Sequence, residues 1–432
     1  MPKHLFATLA TALSAVVAIA AQAGELRAGV GKVDITSAPD EFPYKWREEL
    51  PFVGIHDHVY ARALVLDDGQ RRVVLALVEV TTLPDSAGIV KAVAQEIGVP
   101  EANVLVAASH THEVPLVFFH EQKTDAVHAR EIERLTRGTL EAVREANAHL
   151  QPAQIAFGRG EAYVNINNGE QAGLKTWYDP HGPSDKTLDV VRVARPSGEP
   201  IALLVNYATH AEVMFRSVTR DGGYEVSGDL PGAVSRMLEA QSGGAPLVLY
   251  SPAAEADQLT LFKSHHPAGP LPEGDEGAAG WALLDAQARR VAESVMNVLA
   301  SMPAGSALAQ IETRVGSASC PGQHRRMDPT TGKISTEDEP PVTIPLSMIR
   351  INDIVLAGVG GDVASEIGQH FKAASPYKDS TMITMADGGL GYLLTDASYE
   401  HPGHGLMGSH MGPHCAERAI VDGLVQLIKS KP

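Results

Sequence analysis

Residues 104–119 read VLVAASHTHEVPLVFF. The run Val104–Ala108 is wholly apolar, as expected of a short strand buried on both faces. It stops abruptly at Ser109-His110-Thr111-His112. In extended chain, side chains two residues apart point the same way, so His110 and His112 share one face. Strand ends that open onto loops are where α/β folds carry functional groups. One such imidazole can bind a metal while its neighbour moves protons; a capping histidine beside an exposed one is the plainer alternative.

The pattern recurs along the chain. LLVNYATHAEVM places His210 just past the apolar run Ile201–Tyr207, and VSGDLPG then sets Asp229 at a helix start. IVLAGVGGDVASEIG ends in Gly360-Gly361-Asp362, with Glu366 one helical turn later. DGGLGYLLTDASY flanks Tyr392 with glycines, which let backbone approach closely. Two histidines, a carboxylate and a phenol on four strand ends form a Zn²⁺ set with one position open for water. Each has an ordinary reading too: Asp362 as a helix N-cap, Glu366 on a solvated helix face, Tyr392 in the core.

Around these runs, short apolar segments alternate with amphipathic ones. Strands are expected at 59–66, 72–80, 104–108, 154–162, 188–194, 201–207, 246–250, 309–315, 343–351 and 354–359. Helices are expected at 87–97, 128–149, 230–240, 277–300, 363–373 and 413–429. This alternation predicts an α/β fold: a layered, mixed β-sheet core flanked by helices, in a single large domain over 24–432. Hairpin-like pairs at 59–80 and 343–359 make the sheet mixed rather than purely parallel. Gly- and Pro-rich loops are expected at 36–54, 166–187, 263–278, 319–341 and 386–413, and no internal repeat stands out.

Residues 1–23 differ from the rest. Lys3 and His4 precede the apolar stretch Leu5–Ala20, and Ala21-Gln22-Ala23 fits a cleavage site. The segment reads as a signal peptide removed near Ala23, giving an exported protein; a retained anchor is the alternative. No later segment reaches the roughly 18 uninterrupted apolar residues of a membrane span. A formal net charge of −17 lacks the basic footprint that nucleic acid requires. Cys320 and Cys415 either pair in an oxidising compartment or stay as buried thiols; two cysteines cannot build a disulfide framework or a Cys-rich zinc site. HPGHGLMGSHMGPH, with His401, His404, His410 and His414, reads as loop composition, a second metal site or a lid. No G-x-S-x-G elbow, P-loop, H-E-x-x-H or dinucleotide fingerprint directly following an expected strand is present.

The order of segments AGVGKVDIT, GIHDHVYARALVLDDG, SHTHEVP, NYATHAEVM…VSGDLPG, APLVLYSPAAEAD, GVGGDVASEIG and GYLLTDASYE resembles the neutral/alkaline ceramidase family over about residues 27–400. The resemblance implies a Zn²⁺-dependent amidohydrolase acting on a small N-acyl or lipid-like substrate, with transient membrane-surface contact. It implies His110, His210, Asp362 and Tyr392 as ligands, and His112 as the group that handles protons and substrate. Several positions depart from the family pattern. Asp362 stands for a glutamate, and Glu366 is the alternative ligand. Asn168, in VNINNG, stands where an arginine is expected, Glu113-Val114 replace small residues, and Ala256 replaces a glycine before Asp257. The family's additional C-terminal β-sandwich has no counterpart up to residue 432, so the resemblance is to the catalytic domain. An esterase or lactonase on the same site, or a binding protein that kept the fold, are the competing readings.

Overall fold

The structure, a computed structural model, describes residues 23–44, 50–115, 126–171, 175–264, 276–328, 330–400 and 404–430. The expected leader lies outside these residues apart from Ala23, as do His265, His266, His401 and the 116–119 part of the opening stretch.

In chain order the principal elements begin with β1 (Arg27–Asp34), β2 (Tyr60–Asp67), β3 (Arg72–Val78), α1 (Ser86–Ile97), β4 (Val104–Ala108) and α2 (Ala126–Ala148). There follow β5 (Gln154–Glu161), β6 (Thr187–Ala194), β7 (Pro200–Tyr207), α3 (Asp229–Gln241), β8 (Leu247–Pro252) and α4 (Gly277–Ser301). The last third holds β9 (Ile311–Met327), β10 (Ile334–Ile351), β11 (Ile354–Val359), β12 (Asp362–Val363), α5 (Ser365–Ala374), β13 (Asp379–Ile383), β14 (Tyr392–Leu393) and α6 (Ala416–Lys429).

One topology is used three times. The first sheet runs β4-β3-β2-β1, the second β8-β7-β6-β5 and the third β9-β10-β11-β13. Each contains an antiparallel hairpin (β2–β3, β6–β7, β10–β11) whose second strand crosses over through one helix to a parallel neighbour (β4, β8, β13). The sheets are therefore mixed, as the hairpin-like pairs predict. The repeat is invisible in the sequence because it is carried by topology and not by residue identity.

The three sheets face a common apolar interior, where Leu75 and Leu105 of the first meet Leu204 and Leu249 of the second and Leu356 and Ile383 of the third. The opposite face of each sheet is covered by its own helices: α1 and α2 on the first, α3 and α4 on the second, α5 and α6 on the third. Strands buried on both faces need continuous apolar runs, which is why β4, β7 and β11 read so plainly.

Several segments differ from expectation, among them the expected loop at 166–187, which holds the strands Asn165–Gln171 and Lys175–Asp179. The loop expected at 319–341 instead forms the outer arms of β9 and β10, which stay in antiparallel register to Met327↔Ile334 around a bulge between Cys320 and Gly322. Pro340 and Pro341 are tolerated because these arms are exposed edges, where a missing N–H costs no ladder bond. Strand β1 escapes notice because it carries Gly29 and Gly31. Helix α2 lies directly on it: a Cβ at these positions would meet the carbonyl oxygens of Ala146 at 2.0 Å and Ala142 at 2.1 Å. Cys320 and Cys415 are joined in a disulfide, tying β9 to the start of α6.

Candidate metal centre

The candidate residues follow strands of all three sheets. After β4 the chain turns at His110, whose φ of 62° is left-handed and uncommon for a side-chain-bearing residue. The turn is held by Ser109 N–H donating to Val78 O at 2.9 Å, and by the Thr81 hydroxyl donating to Thr111 O at 2.7 Å. The loop after β7 is zipped onto it: Thr111 bridges to Ala211, and His112 N–H donates to Ala211 O at 3.1 Å. Asp229, at the start of α3, accepts the N–H groups of Val213 at 3.1 Å and Met214 at 2.9 Å, which fixes the residues after His210. Asp229 thus acts as a clamp on the histidine loop.

Asp362 and Tyr392 arrive as registered partners from a separate two-stranded sheet whose first strand follows β11 of the third, because β12 and β14 pair in parallel with Asp362 opposite Tyr392. The Tyr392 ring lies 6.3 Å from the His210 ring, and its outer face rests on Gly408, where a Cβ would come within 2.5 Å of the ring. Asp362 belongs to a strand, so it does not cap α5, whose N-cap position is Ala364. Glu366 is half-buried on α5, and no ion pair joins it to the histidines among the described residues.

The three imidazoles converge. Ligand nitrogens of His110, His112 and His210 all lie within 4.8 Å of one another, and could hold a metal ion. The Nε2 atoms of His110 and His112 are 3.4 Å apart, while Asp362 Oδ2 stands 3.3 Å from His210 Nε2 and 3.7 Å from His110 Nε2. Two donors about 2.0–2.2 Å from one tetrahedral ion are separated by roughly 3.3–3.6 Å, so the spacing suits a shared ion. The outer nitrogens of two rings are engaged: His110 Nδ1 with Thr81 O at 2.8 Å, and His210 Nδ1 with Glu255 O at 3.0 Å. Such contacts leave Nε2 free to ligate. His210 Nε2 and Asp362 Oδ1 are buried without a hydrogen-bond partner among the described residues. Orphaned buried polar atoms are costly, and a cation between them would satisfy both.

The electrostatics agree. Burial holds the His110 and His112 rings below the ordinary histidine value, so both offer neutral, lone-pair-bearing nitrogens at pH 7. Burial also pushes His210 down, but Asp362, with Glu212 and Glu255 behind it, prevails and raises it to about 10. A proton held that firmly marks a position where positive charge is favoured.

Three nearby residues escaped the sequence reading. Glu255 is fully buried with both carboxylate oxygens unpartnered among the described residues, and burial drives its carboxyl well above the usual range. Glu212 and Lys263 form a buried ion pair beside His112, with Glu212 Oε1 3.6 Å from His112 Nδ1. Only the position of Glu212, two residues after His210, could have signalled them. Asn168 sits on the strand 165–171, where its N–H donates to Asp257 O at 2.7 Å. His414 pairs with Asp396 at 3.0 Å on the surface, away from the three imidazoles. Val114 and Pro115 line a small cavity of mixed character, with Ile35, Val80 and Leu135 on one hand and Ser37, Thr82 and Glu131 on the other.

This architecture has known relatives. The whole fold superimposes on the crystal structure of neutral ceramidase from Pseudomonas aeruginosa with a TM-score of 0.72 and 17% identity, covering 94% of this chain and 74% of that one. By sequence the chain is 28% identical over 235 residues to neutral ceramidase B of Dictyostelium discoideum, spanning 50% of this chain and 32% of that protein. It is 25% identical over 245 residues to neutral ceramidase of Mycobacterium tuberculosis, spanning 51% and 36%. The matched stretch thus covers about a third of the curated relatives' length. The sequence profile described as "Neutral/alkaline non-lysosomal ceramidase, N-terminal" matches residues 26–252, which include His110, His112 and His210. Over half the sequence fits that profile, and nearly all of the fold follows the solved relative, so the chain belongs to the neutral/alkaline non-lysosomal ceramidase family.

Proposed function

We propose that this chain is an exported hydrolase that cleaves the amide of an N-acyl substrate, ceramide-like or smaller, with residues 24–432 as its catalytic domain. The observation that carries this reading is the convergence of His110, His112 and His210, from two sheets, against Asp362, which follows a strand of the third. His110, His210, Asp362 and Tyr392 would hold Zn²⁺, which when bound supplies charge that acidifies water and polarises a carbonyl. His112, neutral and facing the same interior, takes the proton of the attacking water. It returns that proton to the leaving nitrogen, because an amine leaves poorly unless protonated. The Tyr392 phenol stands beside the His210 ring, where it can donate to the developing oxyanion. The Cys320–Cys415 disulfide supports export, since such bonds persist in oxidising compartments. Among the described residues, no helix is long and apolar enough to cross a membrane.

Elemental analysis of the purified protein, run with a panel of N-acyl and O-acyl substrates, tests the reading. Zinc at about one per chain with N-acyl turnover supports it. Turnover of O-acyl compounds alone would make the chain an esterase, and a metal-free, inert protein would leave a binding role.

A further inference from the structure

Glu212 lies on the loop that is zipped to the His112 segment, and its carboxylate is shared between two groups. Oε2 accepts a short hydrogen bond from the Lys263 ammonium, and Oε1 faces His112 Nδ1 at 3.6 Å. That nitrogen is buried and has no hydrogen-bond partner among the described residues. In the other two histidines the same nitrogen is engaged by a backbone carbonyl, at Thr81 and at Glu255. At His112 the group standing in that place is a carboxylate.

The difference has a chemical consequence. A neutral imidazole carries one proton, and the acceptor beside one nitrogen decides which. An acceptor at Nδ1 keeps the proton there, so that Nε2 presents its lone pair inward instead of donating across 3.4 Å to His110 Nε2, the competing placement of the proton. A carboxylate does this more strongly than a carbonyl. The separation of 3.6 Å is longer than a hydrogen bond, so a small side-chain rotation has to close it. Lys263 restrains the carboxylate from swinging away, and both side chains are largely buried.

The geometry points to Glu212, locked by Lys263, as the positioning residue that holds His112 as its Nδ1–H tautomer with the Nε2 lone pair turned into the site. Its kinetic consequence rests on the function proposed above; the tautomer itself does not.

The test uses the full chain labelled with ¹⁵N-histidine, as wild type, Glu212→Gln and Glu212→Asp. Glutamine keeps the size and can still accept from Lys263, but it can turn an amide N–H toward His112. In metal-free protein, the His112 nitrogen shifts should report Nδ1–H in the wild type and Nε2–H in the glutamine variant. Glu212→Asp, which retains an acceptor, should keep the wild-type tautomer. On the best N-acyl substrate, Glu212→Gln should lower kcat by about 10²–10⁴-fold with KM little changed. In a His112→Ala background the same substitution should add almost nothing, because its effect passes through that ring. An unchanged tautomer in Glu212→Gln overturns the assignment, as does an equal kinetic cost in both backgrounds. If no acyl substrate is turned over, the functional reading fails and the nitrogen shifts still decide the role of Glu212.

Discussion

Arg62 on β2 and the group formed by His110, His210 and Asp362 both put ionisable side chains in the dry interior, and they complete their bonding in opposite ways. Arg62 donates to Glu79 at 2.7 Å, to Glu239 through a short bond and to Val248 O at 3.1 Å, so its charge is surrounded by counter-charge. The histidine group has His210 Nε2 and Asp362 Oδ1 left over, although both are equally buried. The first arrangement leaves over only the Nη2 group, a donor that cannot take a cation. The second leaves over a nitrogen and an oxygen that a cation between them would satisfy. Neither burial of charge nor a single unpaired atom therefore marks a functional site; converging unpaired atoms that can accept do.

The contrast can be broken experimentally, beginning with the largest expected effect. His210→Ala or His110→Ala should abolish stoichiometric metal, read by elemental analysis, and turnover with it. His112→Ala should retain metal but lose about 10²–10⁴-fold in turnover, the range for a general acid–base group; full activity would remove its proton-transfer role. Arg62→Ala should behave in the reverse sense. It strands Glu79 in the interior, while Glu239 keeps Lys32, and should cost about 3–5 kcal/mol in chemical denaturation while metal content per folded chain stays the same. Loss of metal from folded Arg62→Ala would show that the two clusters are one unit.

The smallest effect sharpens the comparison at a third buried acid. Asp387 accepts Val106 N–H at 3.0 Å and the Ser347 hydroxyl at 2.8 Å, and burial raises its carboxyl to about 6. Because the folded value lies above the unfolded value near 4, the associated stability is full below about pH 4 and is lost as pH rises through about 6. The loss amounts to about 3 kcal/mol. Asp387→Asn keeps the left-handed backbone of φ 56° that asparagine tolerates. Denaturation at pH 4 and pH 7 should show a smaller difference in this variant than in the wild type.

Much of this was legible in the chain. The strands β4, β7 and β11 are continuous apolar runs, so both their existence and the residues placed at their ends could be read. The identity of the partners across space could not. Asp362 and Tyr392 face each other through a two-residue parallel pairing, which has no periodic signature. Glu212 and Lys263 lie 51 residues apart, and the sequence gives no hint that they meet. The outer arms of β9 and β10 were hidden by Pro and Gly, which normally mark loops but are permitted on exposed edges.

The distribution of the convergent groups over three sheets has a further consequence. His110, His210 and Asp362 belong to separate layers that meet only when the shared apolar interior has closed. A nascent or partly folded chain offers isolated side chains with little affinity, so capture of an ion there would be coincidence detection for finished assembly. An ion bound in this way would draw the equilibrium toward the native state by mass action. Chelation should then loosen the seams between the sheets before it disturbs any one of them.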